Sequence, residues 1–159
     1  MTPKHDDVAK GKIRVFVYGT LKEGRGNHSL LKSANAQFVG YDAVTGPIQM
    51  IDMVGFPGLY RPAAAGGENV QEATPFRARG EVWAIDPEGL AALDYLEGHP
   101  TFYRREKWWT EGGVRAWVYL LSPQTTLRAI SRGWLEDKKE IPEGIWNPSD
   151  EELEHWEAA

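Results

Sequence analysis

The chain has 159 residues, a net charge of −5, 42% hydrophobic and 26% charged residues, and no cysteine. That length predicts one domain, able to bury about two thirds of its extended-chain surface without disulfides or metals. The composition excludes a disulfide framework, a cysteine-ligated zinc site and a cysteine nucleophile. No apolar run approaches the ~18–20 residues of a membrane span, and the acidic balance argues against a nucleic-acid groove.

Residues 1–11 read as a flexible, polar N-terminus with no secretory signal, so a cytoplasmic protein is expected. Lys12 to Tyr18 reads as a strand whose end is apolar on both faces and therefore buried. Gly19 breaks it, Gly24 and Gly26 prolong a loop, and Asn27 is placed to cap a short helix bearing Leu30, Leu31 and Ala34. Val39 to Met53 reads as strands split at Gly46-Pro47. Phe56 to Tyr60 reads as a turn between extended pieces, and Pro62 to Pro75 as a mobile loop. Arg79 to Ile85 is a strand. Asp86-Pro87-Glu88 starts a helix that runs to Glu97 and stops at Gly98. Arg105–Trp109 and Arg115–Leu121 form a hairpin around Glu111-Gly112-Gly113, and Leu127–Trp134 reads as a last helix. Many short strands and few helices predict an α+β fold. The two-sided apolar strand needs covering on both faces, which suggests a small mixed β-barrel with a few flanking helices.

The net charge is unevenly placed. From Thr126 onward four Lys or Arg stand against nine Asp or Glu, so this stretch carries all of it. An acidic run usually solvates, but Trp134, Trp146 and Trp156 also lie here. The stretch therefore reads either as a solvated tail or as a docking segment, part of which packs back on the core or on a second subunit. The chain divides as 1–11, a domain over 12–135, and an acidic, Trp-containing extension over 136–159.

One carboxylate lies on an apolar helix face. Glu97 falls angularly between Leu90 and Leu93 on the stripe that also includes Leu96. Either it points into the core or a cleft, where burial would raise its pKa and suit it to proton transfer, or it bends into water at the helix end. Asp94 sits on a neighbouring face and reads either as a second acid or, more simply, as an exposed residue. The loop Tyr18-Gly19-Thr20-Leu21 leaves a buried strand with backbone N–H groups available to an anion. Gly19 and Gly24 have the spacing of a phosphate loop, but Arg25-Gly26 stands where Lys-Ser/Thr would be needed. The four histidines (His5, His28, His99, His155) show no metal-ligand spacing.

Taken in order, several segments resemble the gamma-glutamylcyclotransferase-like superfamily, most closely its gamma-glutamylamine cyclotransferase branch. They are Val17-Tyr18-Gly19-Thr20-Leu21-Lys22, Gly26-Asn27-His28, Phe56-Pro57-Gly58-Leu59, Gly80-Glu81-Val82-Trp83 and Leu93-Asp94-Tyr95-Leu96-Glu97-Gly98. Pro100 to Tyr103 with Arg105, Ala116-Trp117-Val118-Tyr119 and Gly133-Trp134 complete the set. The order and spacing over roughly Lys12 to Leu135 carry the likeness more than any one motif.

The resemblance implies that Glu97 is the catalytic acid/base and that Tyr18, Gly19, Thr20 and Leu21 form the loop holding the gamma-glutamyl group. It implies that Tyr103 and Tyr119 are pocket tyrosines, although either could be barrel core. The implied reaction releases 5-oxoproline and a free amine from a gamma-glutamyl-amine or isopeptide, with no cofactor and no metal. The implied partner is that small molecule alone, with no nucleic acid and no membrane, in a monomer or homodimer. Two other readings use the same residues. One is a non-catalytic module that binds a small metabolite in the same pocket. The other is an interaction protein acting through its acidic tail.

Overall fold

The computed structural model describes residues 11–62, 75–131 and 140–158. In chain order its elements are β1 (Ile13–Val17), α1 (His28–Ser33), β2 (Gln37–Gly46), β3 (Gln49–Asp52), β4 (Pro57–Tyr60) and β5 (Phe76–Ile85). They continue with α2 (Pro87–Glu97), β6 (Tyr103–Trp109), β7 (Arg115–Leu121), α3 (Pro123–Ser131) and α4 (Asp150–Glu157). Five strands make a mixed sheet in the order β2-β5-β1-β7-β6, and β3 pairs with β4 separately. β1 is the middle strand, antiparallel to β5 and parallel to β7.

The two apolar faces of β1 are covered by different layers. Val15 and Val17 pack with Leu31 of α1 and with Leu90 and Leu93 of α2. Phe16 and Tyr18 pack with Ile48, with Met50 of β3 and with Leu59 of β4. Helices on one side and a β-pair on the other thus meet the demand for double covering, and barrel closure is not needed. The sheet nonetheless curls. The Glu111 N–H donates to the Ala43 carbonyl at 2.8 Å and the Gly112 N–H to Asp42 Oδ1 at 3.0 Å, so the β6–β7 turn touches β2. Among the described residues β2 and β6 remain the unpaired edges, so the fold is α+β and only loosely barrel-like.

Three local expectations shift. Phe56 to Tyr60 is not a turn: Pro57–Tyr60 pairs with Gln49–Asp52, and the turn is one step earlier, at Val54 and Gly55, both with positive φ. Pro57 sits in the end pair of the ladder, where a missing N–H costs little. Gly58 is required there because the Leu121 side chain lies 2.8 Å from where a Cβ would be. The helix expected over Leu127–Trp134 starts at Pro123 instead, capped by Ser122, whose Oγ accepts from the Thr125 N–H at 3.1 Å. Trp134, the N-terminus over 1–10 and most of the Pro62–Pro75 stretch lie outside the described residues. α2 has the expected boundaries, with Asp86 extended before Pro87 and Gly98 at φ 65 closing its end. α4 follows in the acidic extension and opens with a capping box between Ser149 and Glu152.

Candidate active site

A cavity of about 410 Å³ opens where the end of β1, the start of β4 and the end of α2 meet. Tyr18, Gly19, Thr20, Leu21, Glu97, Tyr103 and Tyr119 all line it, so the residues singled out from sequence are brought to one place. Its rim adds Gly55, Phe56, Leu96 and Phe102.

Helix α2 places the carboxylate. Leu90 and Leu93 are buried and anchor its inner face, while Leu96 is 40% exposed and belongs to the rim. Glu97, a turn after Leu93, is half-buried and faces the cavity. Burial pushes its carboxyl up from 4.5 to about 7. Its place at a helix C-terminus works in the same direction, because the dipole end there disfavours negative charge. Among the described lining residues Glu97 is the one charged side chain.

Three tyrosines brace the walls. The Tyr18 hydroxyl donates to the Tyr119 carbonyl at 2.5 Å and accepts from the Leu59 N–H at 3.1 Å, tying β1, β7 and β4 together. The Tyr103 hydroxyl donates to the Pro57 carbonyl at 2.5 Å. The Tyr119 hydroxyl donates to Asp94 Oδ1 at 2.7 Å, where Arg105 Nε also donates, at 2.8 Å. Burial, with the Glu97 charge nearby, raises all three phenols, so they remain neutral donors. Tyr103 and Tyr119 are therefore wall and core at once. Asp94 is half-buried, not exposed as expected. Burial works against its charge, but the bonds from Arg105 and Tyr119 prevail and hold it below the usual carboxylate range. Arg105 in turn lies 4.2 Å over the Trp117 ring.

The glycine loop closes on itself. The Asn27 N–H donates to the Thr20 carbonyl at 2.9 Å and Asn27 Nδ2 to Thr20 Oγ1 at 2.8 Å. His28 Nδ1 meets the Leu21 carbonyl at 2.9 Å. The Thr20 and Leu21 N–H groups find no acceptor among the described residues. They are donors available to an anion. Gly19 is needed because a Cβ there would lie 2.8 Å from the Pro57 ring.

Sequence reasoning missed the part played by Asn27, which makes no side-chain cap and holds Thr20 instead. It also missed the apolar rim of Phe56, Leu96 and Phe102. The spacing of three residues between Asp94 and Glu97 puts both near one helix face, which is the signal in the sequence that Asp94 lies close to the site. No group of three or more His, Asp or Glu side chains arranged to hold a metal ion occurs among the described residues. No described helix is long and apolar enough to cross a membrane.

A family model for gamma-glutamyl cyclotransferase, AIG2-like, matches residues 15–147. The chain belongs to this family. A Vibrio cholerae protein provisionally named as a gamma-glutamylcyclotransferase is 34% identical over 116 residues, covering 73% of this chain and 88% of that one. The Escherichia coli gamma-glutamylcyclotransferase family protein YtfP is 33% identical over 129 residues, covering 80% of this chain and all of YtfP. Its solution structure superposes with a TM-score of 0.54 over 85% of this chain and 96% of that one, at 28% identity. The crystal structure of a mouse AIG2-like protein has a TM-score of 0.56 at 24% identity, covers 70% of this chain and 78% of that one, and supports the fold alone. Family membership and these names indicate gamma-glutamylcyclotransferase-like activity. In this family member Glu97, Thr20 and Leu21 line one cavity.

Proposed function

We propose that the protein is a gamma-glutamylamine cyclotransferase, releasing 5-oxoproline and a free amine from a gamma-glutamyl-amine or isopeptide. The observation that carries this is Glu97. It is a carboxyl lining the cavity, raised by burial to about 7, with no cation among the described lining residues. A base so poised takes a proton near neutral pH and gives it back.

The Thr20 and Leu21 N–H groups hold the substrate's α-carboxylate. Glu97 removes a proton from the α-ammonium. The freed amine attacks the γ-carbonyl carbon, closing a five-membered ring. The C–N bond to the leaving amine then breaks as protonated Glu97 returns its proton to that nitrogen. Glu97 next passes on the second proton of the ring nitrogen, so that the ring becomes the neutral lactam and the amine leaves as an ammonium ion. The products are 5-oxoproline and the amine, and nothing is consumed besides the substrate. Holding the chain curled so that nitrogen and carbonyl touch is worth up to about 7–11 kcal/mol.

The same lining supports an amine over an amino acid as leaving group. A leaving group attached through its α-amine carries a carboxylate next to the breaking bond, where the described walls offer no cation, whereas an isopeptide's lysine carries its carboxylate several carbons away. The rim of Phe56, Leu96 and Phe102 suits a hydrocarbon chain instead.

The test is 5-oxoproline release from gamma-glutamyl alkylamines, gamma-glutamyl-epsilon-lysine, gamma-glutamyl amino acids and glutathione, run with wild type and Glu97→Gln. Glu97-dependent release, fastest from the alkylamines, is expected. Equal turnover by Glu97→Gln would remove Glu97 from the chemistry, and preference for glutathione would overturn the substrate class.

A further inference from the structure

We propose that Glu152 in α4 is a positioning residue for the substrate-binding loop, so that the acidic C-terminal extension is a working part of the pocket. The inference rests on the functional reading above for what the loop binds, and on geometry for how the loop is held.

Thr20 and Leu21 line the cavity, and the next residue turns the other way. The side chains of Lys22 and Glu152 are 0% and 1% exposed. Lys22 Nζ donates to both oxygens of Glu152 at 2.9 Å and to the Trp146 carbonyl at 2.7 Å. Three residues on, Arg25 Nη2 donates to Glu152 Oε1 at 3.0 Å and to the Asn147 carbonyl. Burial pulls Lys22 below its ordinary range, and hydrogen bonding to Glu152 opposes that loss of charge.

Glu152 is itself fixed. Its N–H donates to Ser149 Oγ at 3.1 Å, and its Oε1 accepts from the Ser149 N–H at 3.3 Å. The carboxylate that grips the loop is therefore locked to the first turn of its own helix. A second anchor holds the loop from β5, where buried Glu81 Oε1 accepts from the Glu23 N–H at 3.0 Å and from Trp83 Nε1 at 2.9 Å. Residues 22, 23 and 25 are pinned directly after Thr20 and Leu21, which line the cavity.

Such a clamp does more for geometry than for stability. A buried ion pair often contributes little that an apolar pair of similar volume would not. What it supplies is direction, through short charge-assisted bonds. The donors it aims meet the substrate's carboxylate before and during the reaction alike, so loosening them weakens binding more than the chemical step. α4 lies beyond residue 147, where the family match ends.

The experiment uses the full-length protein, a gamma-glutamyl alkylamine and two comparison variants. Glu152→Gln should raise KM about tenfold while kcat stays within about twofold, the pattern of lost uniform binding. Amide exchange at Thr20 and Leu21 should quicken. Ile85→Ala opens a cavity at the far end of the sheet from the loop, and is expected to lower the melting temperature without changing KM or that exchange. The double variant Lys22→Met with Glu152→Leu refills the site with apolar side chains. It should recover the melting temperature but keep the raised KM, and it serves equally where Glu152→Gln does not fold.

Unchanged KM and exchange in the clamp variants, or the same changes in Ile85→Ala, would overturn the proposal. Should wild type release 5-oxoproline from no compound, the functional reading fails by itself. Amide exchange then decides the clamp: faster exchange supports it and unchanged exchange overturns it.

Discussion

Replacing Glu97 by Gln should make the protein more stable at neutral and alkaline pH while removing its activity. In the folded chain burial raises the Glu97 carboxyl from 4.5 to about 7. The folded state therefore binds this proton more tightly than the unfolded state does. Below about pH 4.5 both states are protonated and the carboxyl costs nothing beyond its bulk. Between about 4.5 and 7 the unfolded chain ionises first, and folding stability falls as pH rises. Above 7 the folded site is ionised too and the loss is complete. At about 1.4 kcal/mol per pH unit, the full loss is roughly 3 kcal/mol. Gln is neutral throughout and does not incur it. For a chain of this size that corresponds to a melting temperature higher by about 6–12 °C at pH 8.

The assay is thermal or urea unfolding of wild type and Glu97→Gln at several pH values from 4 to 8. Every other titrating group is common to the two proteins, so the difference between their curves isolates Glu97. The difference should be near zero at pH 4, open between pH 4.5 and 7, and level off above. Curves that run parallel across this range would refute the reasoning, because a carboxyl whose pKa is ordinary in the folded state gives no such divergence. The result does not depend on knowing the substrate.

The same ionisation sets the rate. Below about pH 7, kcat/KM for 5-oxoproline release should fall about tenfold per unit as Glu97 takes up its proton and ceases to be a base; a flat profile from pH 5 to 7 would exclude it from that role. Gly19→Val should abolish binding, because a Cβ at this position already lies 2.8 Å from the Pro57 ring and two further methyls must enter the cavity. The check is the shift in melting temperature given by a gamma-glutamyl alkylamine, which wild type should show and this variant should lack.

What could be read from the sequence is what neighbouring residues decide. The face of Glu97 follows from Leu90 and Leu93 through the 3.6-residue period, and its boundaries from Pro87 and Gly98. The hairpin of β6 and β7 follows from alternation around a glycine turn. Where the fold depends on what arrives from elsewhere, the sequence leaves alternatives standing. A strand apolar on both faces demands two covers, but its pattern is the same whether a barrel closes or helices and a β-pair supply them. Pro57 and Gly58 carry turn chemistry, and only the ladder to β3 and the Leu121 side chain make them a strand.

The acidic extension shows the same limit at its sharpest. Asp150, Glu151 and Glu152 fit the first turn of a solvent-facing helix, because acids there favour the positive dipole end. Two of them behave so and are exposed, while the third is buried. No local rule separates Glu152 from its neighbours. The difference is Lys22, 130 residues earlier, which is equally unremarkable in a loop beside Glu23 and Arg25. Each of these charges would be costly to bury alone. Only the fold that brings them together makes both tolerable, and that fold places their contact directly behind Thr20 and Leu21. A charge pattern that reads as a solvated tail is thus also what a buried clamp requires, and the two are told apart by the partner and not by the composition.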